Sequence, residues 1–391
     1  MGKSAAYITT LTPLRGIAAL LIVIYHCNFG VQPFLLGYTR FLQNAHLWVD
    51  FFFVLSGFIM YYVYDNYFSD AVTWGKYKKF IWARFARVYP LLLVTTVWAF
   101  LCSGLILHYA TAIDPDSIGQ YNLKALPACL FLLNGFPIFS TFPLNVPSWS
   151  LSSEWWMYMV FPFLVPPLFK LNVWGRLLGL VVILIFYSTV VFYGPSIDSY
   201  NKWLYGNLGF VIPYIPITKC VGGFILGMLL YKFFECKAGY SFMKQDWFFV
   251  ASLLAVVIAM HFGVMTIAII ACFPFIILCA SYNQGRVKRI LDTPVMQQLG
   301  NWSFSIYLVH FPIIYMYFIL RLRNDPAYLA QSIFLKEQNY TEGIVLCIIL
   351  VAITLLVSAF TWRFLEMPAR NYLNRAINRN YMEFRTVDTT L

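Results

Sequence analysis

Long apolar runs recur from one end of this chain to the other, and they constrain its fold more than any other feature. Hydrophobic residues make up 61% of the 391 residues and charged residues only 11%, whereas a typical soluble domain is about 25% charged. A soluble protein cannot bury that much apolar surface in its own interior, but the hydrocarbon core of a bilayer accepts it. The pattern predicts an all-α integral membrane protein.

About ten segments are long and apolar enough to cross a bilayer, because a spanning helix needs about 20 mainly apolar residues. We place them at 12–28, 46–64, 88–107, 150–169, 175–193, 213–231, 247–262, 264–281, 299–320 and 342–362. The segment 126–142 is also apolar, but Pro127, Gly135 and Pro137 interrupt it. We expect a re-entrant or interfacial element there, since broken backbone is tolerated at membrane depth only where protein buries it or it lines a cavity.

Lysine and arginine are distributed unevenly between the alternate loops of this arrangement. With the N-terminus in the cytoplasm, most of the 27 lysines and arginines fall in cytoplasmic segments, which is the positive-inside bias of membrane proteins. Both termini are therefore predicted to be cytoplasmic, with one transmembrane domain at 1–365 and a short basic tail at 366–391. The same bias accounts for most of the formal net charge of +11. It indicates the lipid bilayer as a partner and leaves no need for nucleic acid.

Ionisable side chains at membrane depth are costly and mark candidate functional sites. The sequence places seven of them within or at the ends of the spans, namely Arg15, His26, Asp50, Glu154, Lys219, His261 and His310. Arg15 and His26 share one face of the first span and lie about 16 Å apart along its axis. An arginine binds phosphate or carboxylate, and a neutral histidine accepts protons. The alternative is an interfacial anchor at Arg15 and an outer-edge residue at His26.

Arg84 and Arg87 stand at the start of the third span. Residues three apart on a helix are neighbours, so the two guanidinium groups can close on one anion. Positive-inside anchoring is the alternative explanation for the pair.

Glu154 follows a run of serines at the predicted outer end of the fourth span. Ser150 and the serines after it can cap the helix together with Glu154, which makes a capping box the alternative to catalysis. His26, Asp50 and Glu154 are expected at similar depth, where a carboxylate can orient the histidine. We place His310 nearer the middle of the membrane.

Two other buried candidates have no motif around them. We expect His261 to make an interhelical hydrogen bond. Lys219 is left open, because a lysine in a span can extend its amine to the interface.

At these positions the sequence resembles membrane-bound acyltransferase family three, the O-acetyltransferases that decorate bacterial extracellular polysaccharides, O-antigens, peptidoglycan and Nod factors. Six motifs occur in order: arginine–ten residues–histidine (Arg15, His26), VDFFFVLSGF (49–58), RxxR followed by Tyr-Pro (84–90), WSLSSEWWMYMVFP (149–162), SFSIYLVHFP (303–312) and RFLEMPAR (363–370). One departure is Trp48, which stands where the family motif usually has glycine before Val-Asp. We expect this difference to affect the packing around Asp50 more than the chemistry of its carboxylate.

The resemblance implies roles for the matching residues. His26 would be the catalytic histidine, supported by Arg15, with Asp50 and Glu154 as further catalytic candidates. Arg84 and Arg87 would bind acyl-CoA from the cytoplasm, with Arg15 contacting the same donor. Ser150, Glu154, Tyr307, His310 and Glu366 match other motif positions.

The expected function is a membrane-bound O-acyltransferase. It would move an acyl group, in the first instance acetyl from acetyl-CoA, to a hydroxyl of an extracytoplasmic glycan or glycolipid, in the inner membrane of a bacterium. The eight cysteines include no CxxC or CxxH pair, so no metal is expected. A secondary transporter and a non-catalytic subunit of an export complex are the alternatives, because buried charges are also typical of transporters. Nothing in the sequence indicates an oligomeric state.

Overall fold

Helices form most of the chain in the computed structural model, which describes residues 8–35, 39–114, 117–139, 141–197, 215–330 and 339–378, and no strand occurs in these ranges. Ten of the described helices contain 17 residues or more: α1 (Leu11–Gly30), α2 (Trp48–Phe68), α3 (Trp74–Tyr109), α4 (Ser148–Phe169), α5 (Val173–Ile197), α6 (Ile215–Glu235), α7 (Asp246–Phe262), α8 (Thr266–Tyr282), α9 (Ser303–Leu322) and α10 (Tyr340–Thr361). They coincide in position with the predicted spans.

Seven of the described helices are long and apolar enough to cross a membrane, namely α1, α2, α3, α5, α6, α9 and α10. The helices α7 and α8 are apolar but shorter, and α4 carries several polar residues in its first turns. The chain is therefore an all-α, multi-pass membrane protein. That all ten helices cross the membrane, and that both termini are cytoplasmic, stay predictions.

The third helix begins earlier than expected. It runs from Trp74 to Tyr109 over 36 residues, which corresponds to about 54 Å, whereas the predicted span covers 88–107. Thr73 caps its start by accepting a hydrogen bond from the backbone N–H of Lys76, and Pro90 is accommodated within it. Arg84 and Arg87 consequently lie within a continuous helix.

The helices α2 and α6 pack closely because glycines line their interface. A Cβ atom on Gly57 would overlap the backbone carbonyl of Phe224, and one on Gly227 would overlap that of Val54. Small residues allow helix backbones to approach in membranes, where lipid gives little hydrophobic driving force between helices.

The segment between α3 and α4 is broken, and part of it packs against α9. That it is re-entrant or interfacial stays a prediction. Among its described residues the longest helix is Leu126–Leu130, with five residues. The backbone carbonyl of Leu144 accepts from Tyr315 Oη at 2.9 Å, and Asn145 Nδ2 donates to the carbonyl of Leu308 at 3.0 Å. Pro312 has no N–H for that carbonyl within α9, so Asn145 replaces the missing helical bond. The segment is thereby held against the middle of α9.

Two short elements position the ends of the long helices. The helix Pro294–Asn301 packs on the start of α1, where a Cβ on Gly300 would overlap the backbone of Thr12. This contact aligns α9 beside α1. After α10 a π-helical turn, Trp362–Glu366, leads into the helix Met367–Asn378, which packs on α3 through a hydrogen bond from Trp82. The predicted domain boundary after residue 365 falls in that turn and stays a prediction.

Candidate active site

One cavity collects most of the predicted polar residues, although they come from separate parts of the sequence. The helices α1, α2, α3, α4 and α9 form it, and its polar lining includes Arg15, Arg84, Arg87, Ser150, Glu154 and Tyr307. Apolar side chains of α2, Phe52 and Ile59 among them, complete the wall. Three arginines and one glutamate line the same space, which favours a ligand carrying several negative charges.

Arg84 is buried and held between aromatic rings. Its guanidinium carbon lies 5.7 Å from the ring centre of Tyr64 and 6.0 Å from that of Phe80, within the range of cation–π attraction. One guanidinium nitrogen donates to Tyr64 Oη at 3.2 Å. Arg87 follows one turn later on the same helix and lines the same cavity, so the sequence correctly predicts that the pair shares a face.

Glu366 lies behind the arginines and does not line the cavity. Its Oε2 accepts a hydrogen bond from Ser305 Oγ at 2.9 Å, and the carboxylate is buried. It is within electrostatic range of Arg87, Arg370 and Arg15. The π-helical turn that contains Glu366 therefore supplies a counter-charge to the guanidinium cluster.

The start of α4 is not capped by a side chain, contrary to the capping-box alternative. The helix begins at Ser148 after Pro147, and no side chain caps it. Ser150 Oγ lies 2.6 Å from Tyr307 Oη, and both hydroxyls are 3.1 Å from the carbonyl of Pro147. Glu154 instead accepts from Tyr158 Oη at 2.5 Å. The capping-box interpretation is wrong, because Glu154 faces the cavity from the second turn.

His26 and His310 are in direct contact, although 284 positions separate them in the sequence. The Nε2 atom of His310 lies 3.2 Å from Nδ1 of His26, and the ring centres are 5.1 Å apart. The ring of Tyr307 is 6.1 Å from that of His310. The order from the cavity is thus Tyr307, His310, His26. Sequence reasoning named both histidines but not their contact, which depends on how α1 and α9 pack.

Asp50 is engaged away from His26. Its Oδ2 is 2.8 Å from Nζ of Lys219, and its Oδ1 accepts a hydrogen bond from Tyr187 Oη. Asp50 is 1% and Lys219 6% exposed, so Lys219 does not extend to the interface. Its position on α6 explains this pairing. Gly223 packs against Phe53 of α2, and Lys219, four residues earlier, lies on the same face of α6.

The expectation of a carboxylate beside His26 is wrong for both candidates, because Asp50 pairs with Lys219, and Glu154 accepts from Tyr158 and lines the cavity. The expected interhelical hydrogen bond of His261 is wrong: its Nδ1 lies 2.9 Å from Thr39 Oγ1, which is in the connection before α2 and not on a helix. In the part of the chain that the structure describes, no three His, Cys, Asp or Glu side chains cluster as a metal site would require.

Known proteins that this chain resembles are acyltransferases. A protein-family model described as an acyltransferase domain matches residues 10–363. The acyltransferase MdmB of Streptomyces mycarofaciens is 28% identical over 331 residues, which is 78% of each chain. The peptidoglycan O-acetyltransferase OatA of Listeria monocytogenes is 23% identical over 413 residues, 97% of this chain but 59% of that relative. No solved structure matches.

Proposed function

Since the chain belongs to this acyltransferase family, we propose that it is a membrane-bound O-acyltransferase. It moves an acyl group, in the first instance acetyl, from cytoplasmic acyl-CoA to a hydroxyl of an extracytoplasmic glycan or glycolipid, in the plasma membrane of a bacterium. The observation that carries this proposal is the arrangement of an arginine-lined cavity beside a histidine pair. Tyr307 lines the cavity, and the pair of His310 and His26 lies behind Tyr307. The activity in the name of the peptidoglycan O-acetyltransferase relative also supports it.

Arg84, Arg87 and Arg15 bind the phosphates of the donor in this proposal. Guanidinium groups suit phosphate because they donate several hydrogen bonds in one plane. The distance of about 16 Å along α1 between Arg15 and His26 is of the order of the pantetheine arm, so a donor anchored at the arginines presents its thioester near the histidines. The predicted orientation places the arginine end on the cytoplasmic side.

The reaction has two balanced routes that both need His26. In direct transfer the acceptor oxygen bonds to the thioester carbon, the carbon–sulfur bond breaks, and His26 passes the hydroxyl proton to the leaving thiolate. In the two-step route the lone pair of His26 bonds to the thioester carbon, the carbon–sulfur bond breaks, and CoA leaves as thiolate. The acceptor oxygen then bonds to the acyl carbon, the carbon–nitrogen bond to His26 breaks, and the hydroxyl proton passes to the thiolate. Acyl-histidine trapped with donor alone would exclude direct transfer.

The acceptor enters from the outer side in this proposal, across the element at 126–142. Its side chains Phe131 and Ile138 are 71% and 55% exposed, so they are available to an incoming molecule. A lipid or a small molecule is left open as the acceptor.

The test is thioester cleavage by the purified, detergent-solubilised protein. Acetyl-CoA is supplied without and with a crude extracellular polysaccharide extract, and released CoA thiol is measured. We expect acceptor-stimulated release that disappears in His26→Ala, because both routes need the imidazole. The matched control is His108→Ala, which removes an exposed histidine at the end of α3 and should leave release unchanged.

Two outcomes would contradict the proposal. Normal release by His26→Ala would exclude His26 from both routes. No release, together with no binding of acetyl-CoA, would favour a transporter or a non-catalytic subunit of an export complex.

A further inference from the structure

We infer that His310 is the positioning residue for His26: it holds the His26 ring in the tautomer protonated at Nδ1, so that Nε2 carries the reactive lone pair. The inference rests on the proposed function for the importance of His26. The hydrogen bonds that determine the tautomer are present whatever the reaction is.

The partners of His26 Nδ1 determine where its proton lies. That nitrogen is 3.0 Å from the carbonyl oxygen of Ile22, one turn earlier on α1. A carbonyl oxygen only accepts hydrogen bonds, so this contact favours a proton on Nδ1 of His26, and the second acceptor, His310, holds it there. A neutral imidazole has one protonated nitrogen, and the lone pair of His26 is therefore on Nε2.

The partners of His310 determine its role in the same way. Its Nδ1 is 3.1 Å from the carbonyl of Ile306, which again requires a proton on that nitrogen. Its Nε2 then has a lone pair, and this atom lies 3.2 Å from Nδ1 of His26. The two rings thus form a one-way chain: the carbonyl of Ile22 and Nε2 of His310 share the single Nδ1–H of His26, and His310 donates to Ile306.

The surroundings of His310 make it a fixed acceptor. The side chain is buried, and Phe311 meets the ring of His26 edge-on at 5.3 Å between centres. Pro312 interrupts the helical bonding of α9 just beyond His310, and Asn145 occupies the carbonyl that Pro312 leaves without a partner. The backbone around His310 is therefore held by the neighbouring segment as well as by its own helix.

A neutral orienting residue suits this position. In many hydrolases a carboxylate accepts the Nδ1–H of the catalytic histidine and stabilises the charge that forms on the ring. Here the two candidate carboxylates, Asp50 and Glu154, have other partners. His310 supplies the acceptor without placing a charge at membrane depth, where charges are costly. Its hydrogen bond strengthens when His26 Nε2 takes a proton or an acyl group.

Three substitutions separate positioning from packing. The amide of His310→Gln reaches the place of Nε2, that of His310→Asn reaches only the place of Nδ1, and His310→Leu keeps bulk without an acceptor. We expect kcat to fall about 100-fold or more in the Asn and Leu variants and about tenfold or less in the Gln variant. Binding of acetyl-CoA should stay unchanged in all three, which also shows that they fold. Wild-type kcat in His310→Leu, or equal losses in the Gln and Leu variants, would overturn the inference.

A spectroscopic measurement tests the tautomer without activity. The chain has only five histidines, so ¹⁵N-histidine labelling gives a small set of signals, and His26→Gln identifies the one from His26. We expect the signal of a ring protonated at Nδ1 in the wild type, and a contribution from the ring protonated at Nε2 in His310→Leu. An Nε2-protonated wild type, or an unchanged signal in His310→Leu, would overturn the inference. Failure of the proposed function would show instead as absence of thioester cleavage by the wild type.

Discussion

Two groups of charged side chains lie among the apolar helices of this acyltransferase, and they differ in what surrounds them. Asp50 and Lys219 face each other across the glycine-lined interface of α2 and α6. Arg84, Arg87 and Glu154 line a cavity. A charge at membrane depth is therefore not by itself evidence of catalysis. A charge in a closed interface stabilises the helix assembly, whereas a charge that lines a cavity can also contact a ligand there.

The largest effect is expected for the ion pair of Asp50 and Lys219 in the closed interface. Lys219→Met leaves the Asp50 carboxylate buried without its partner, which should reduce the free energy of unfolding by about 3–5 kcal/mol. Thermal or denaturant unfolding in detergent measures the loss. The double variant Asp50→Asn with Lys219→Met removes both charges and should recover part of it.

The control for this prediction is Lys78→Met, which removes an exposed lysine of α3 and should leave stability within about 0.5 kcal/mol of the wild type. A Lys219→Met protein that is fully stable but inactive would reverse the comparison, because the ion pair would then belong to the site.

A smaller effect is expected for the arginines that line the cavity. Arg84→Met or Arg87→Met each removes charge-assisted hydrogen bonds worth about 1.5–3 kcal/mol, so the affinity for acetyl-CoA should fall about 10- to 100-fold. Isothermal titration of the purified protein measures the dissociation constant, with Lys78→Met on the same helix as the control. Unchanged affinity would leave the arginine pair with an anchoring role only.

The smallest effect concerns the counter-charge behind the cavity. Glu366→Gln keeps an acceptor for Ser305 but removes the negative charge near Arg87 and Arg15. The affinity for acetyl-CoA should then rise about two- to fivefold, since roughly 1 kcal/mol of competing attraction disappears. The same titration at low and high salt measures the change. Weaker binding would instead indicate that Glu366 holds the guanidinium groups in their geometry.

The helices were predictable because hydropathy is a local property. The described helices fall where runs of about 20 apolar residues occur, and Pro127, Gly135 and Pro137 correctly indicated a broken element between α3 and α4. The start of α3 was predicted too late, because the polar turns before residue 88 continue the helix without adding hydropathy.

The residues of the site were predictable as a set, but their pairing was not. Motifs named Arg15, Arg84 and Glu154 without indicating that one cavity joins them. The partners of His26 and Asp50 come from helices distant in the sequence, and their contacts depend on helix packing that no local pattern contains.

The close packing of α2 and α6 has a consequence for motion during turnover. Helices whose backbones touch at Gly57 and Gly227 cannot slide or rotate against each other without a collision of main-chain atoms. We expect the pair to move as one rigid body, with any opening that admits the donor or releases the product confined to its neighbours. Turnover measured after a covalent cross-link between α2 and α6 should accordingly stay intact, whereas a cross-link between two helix bundles that rock against each other would stop a carrier.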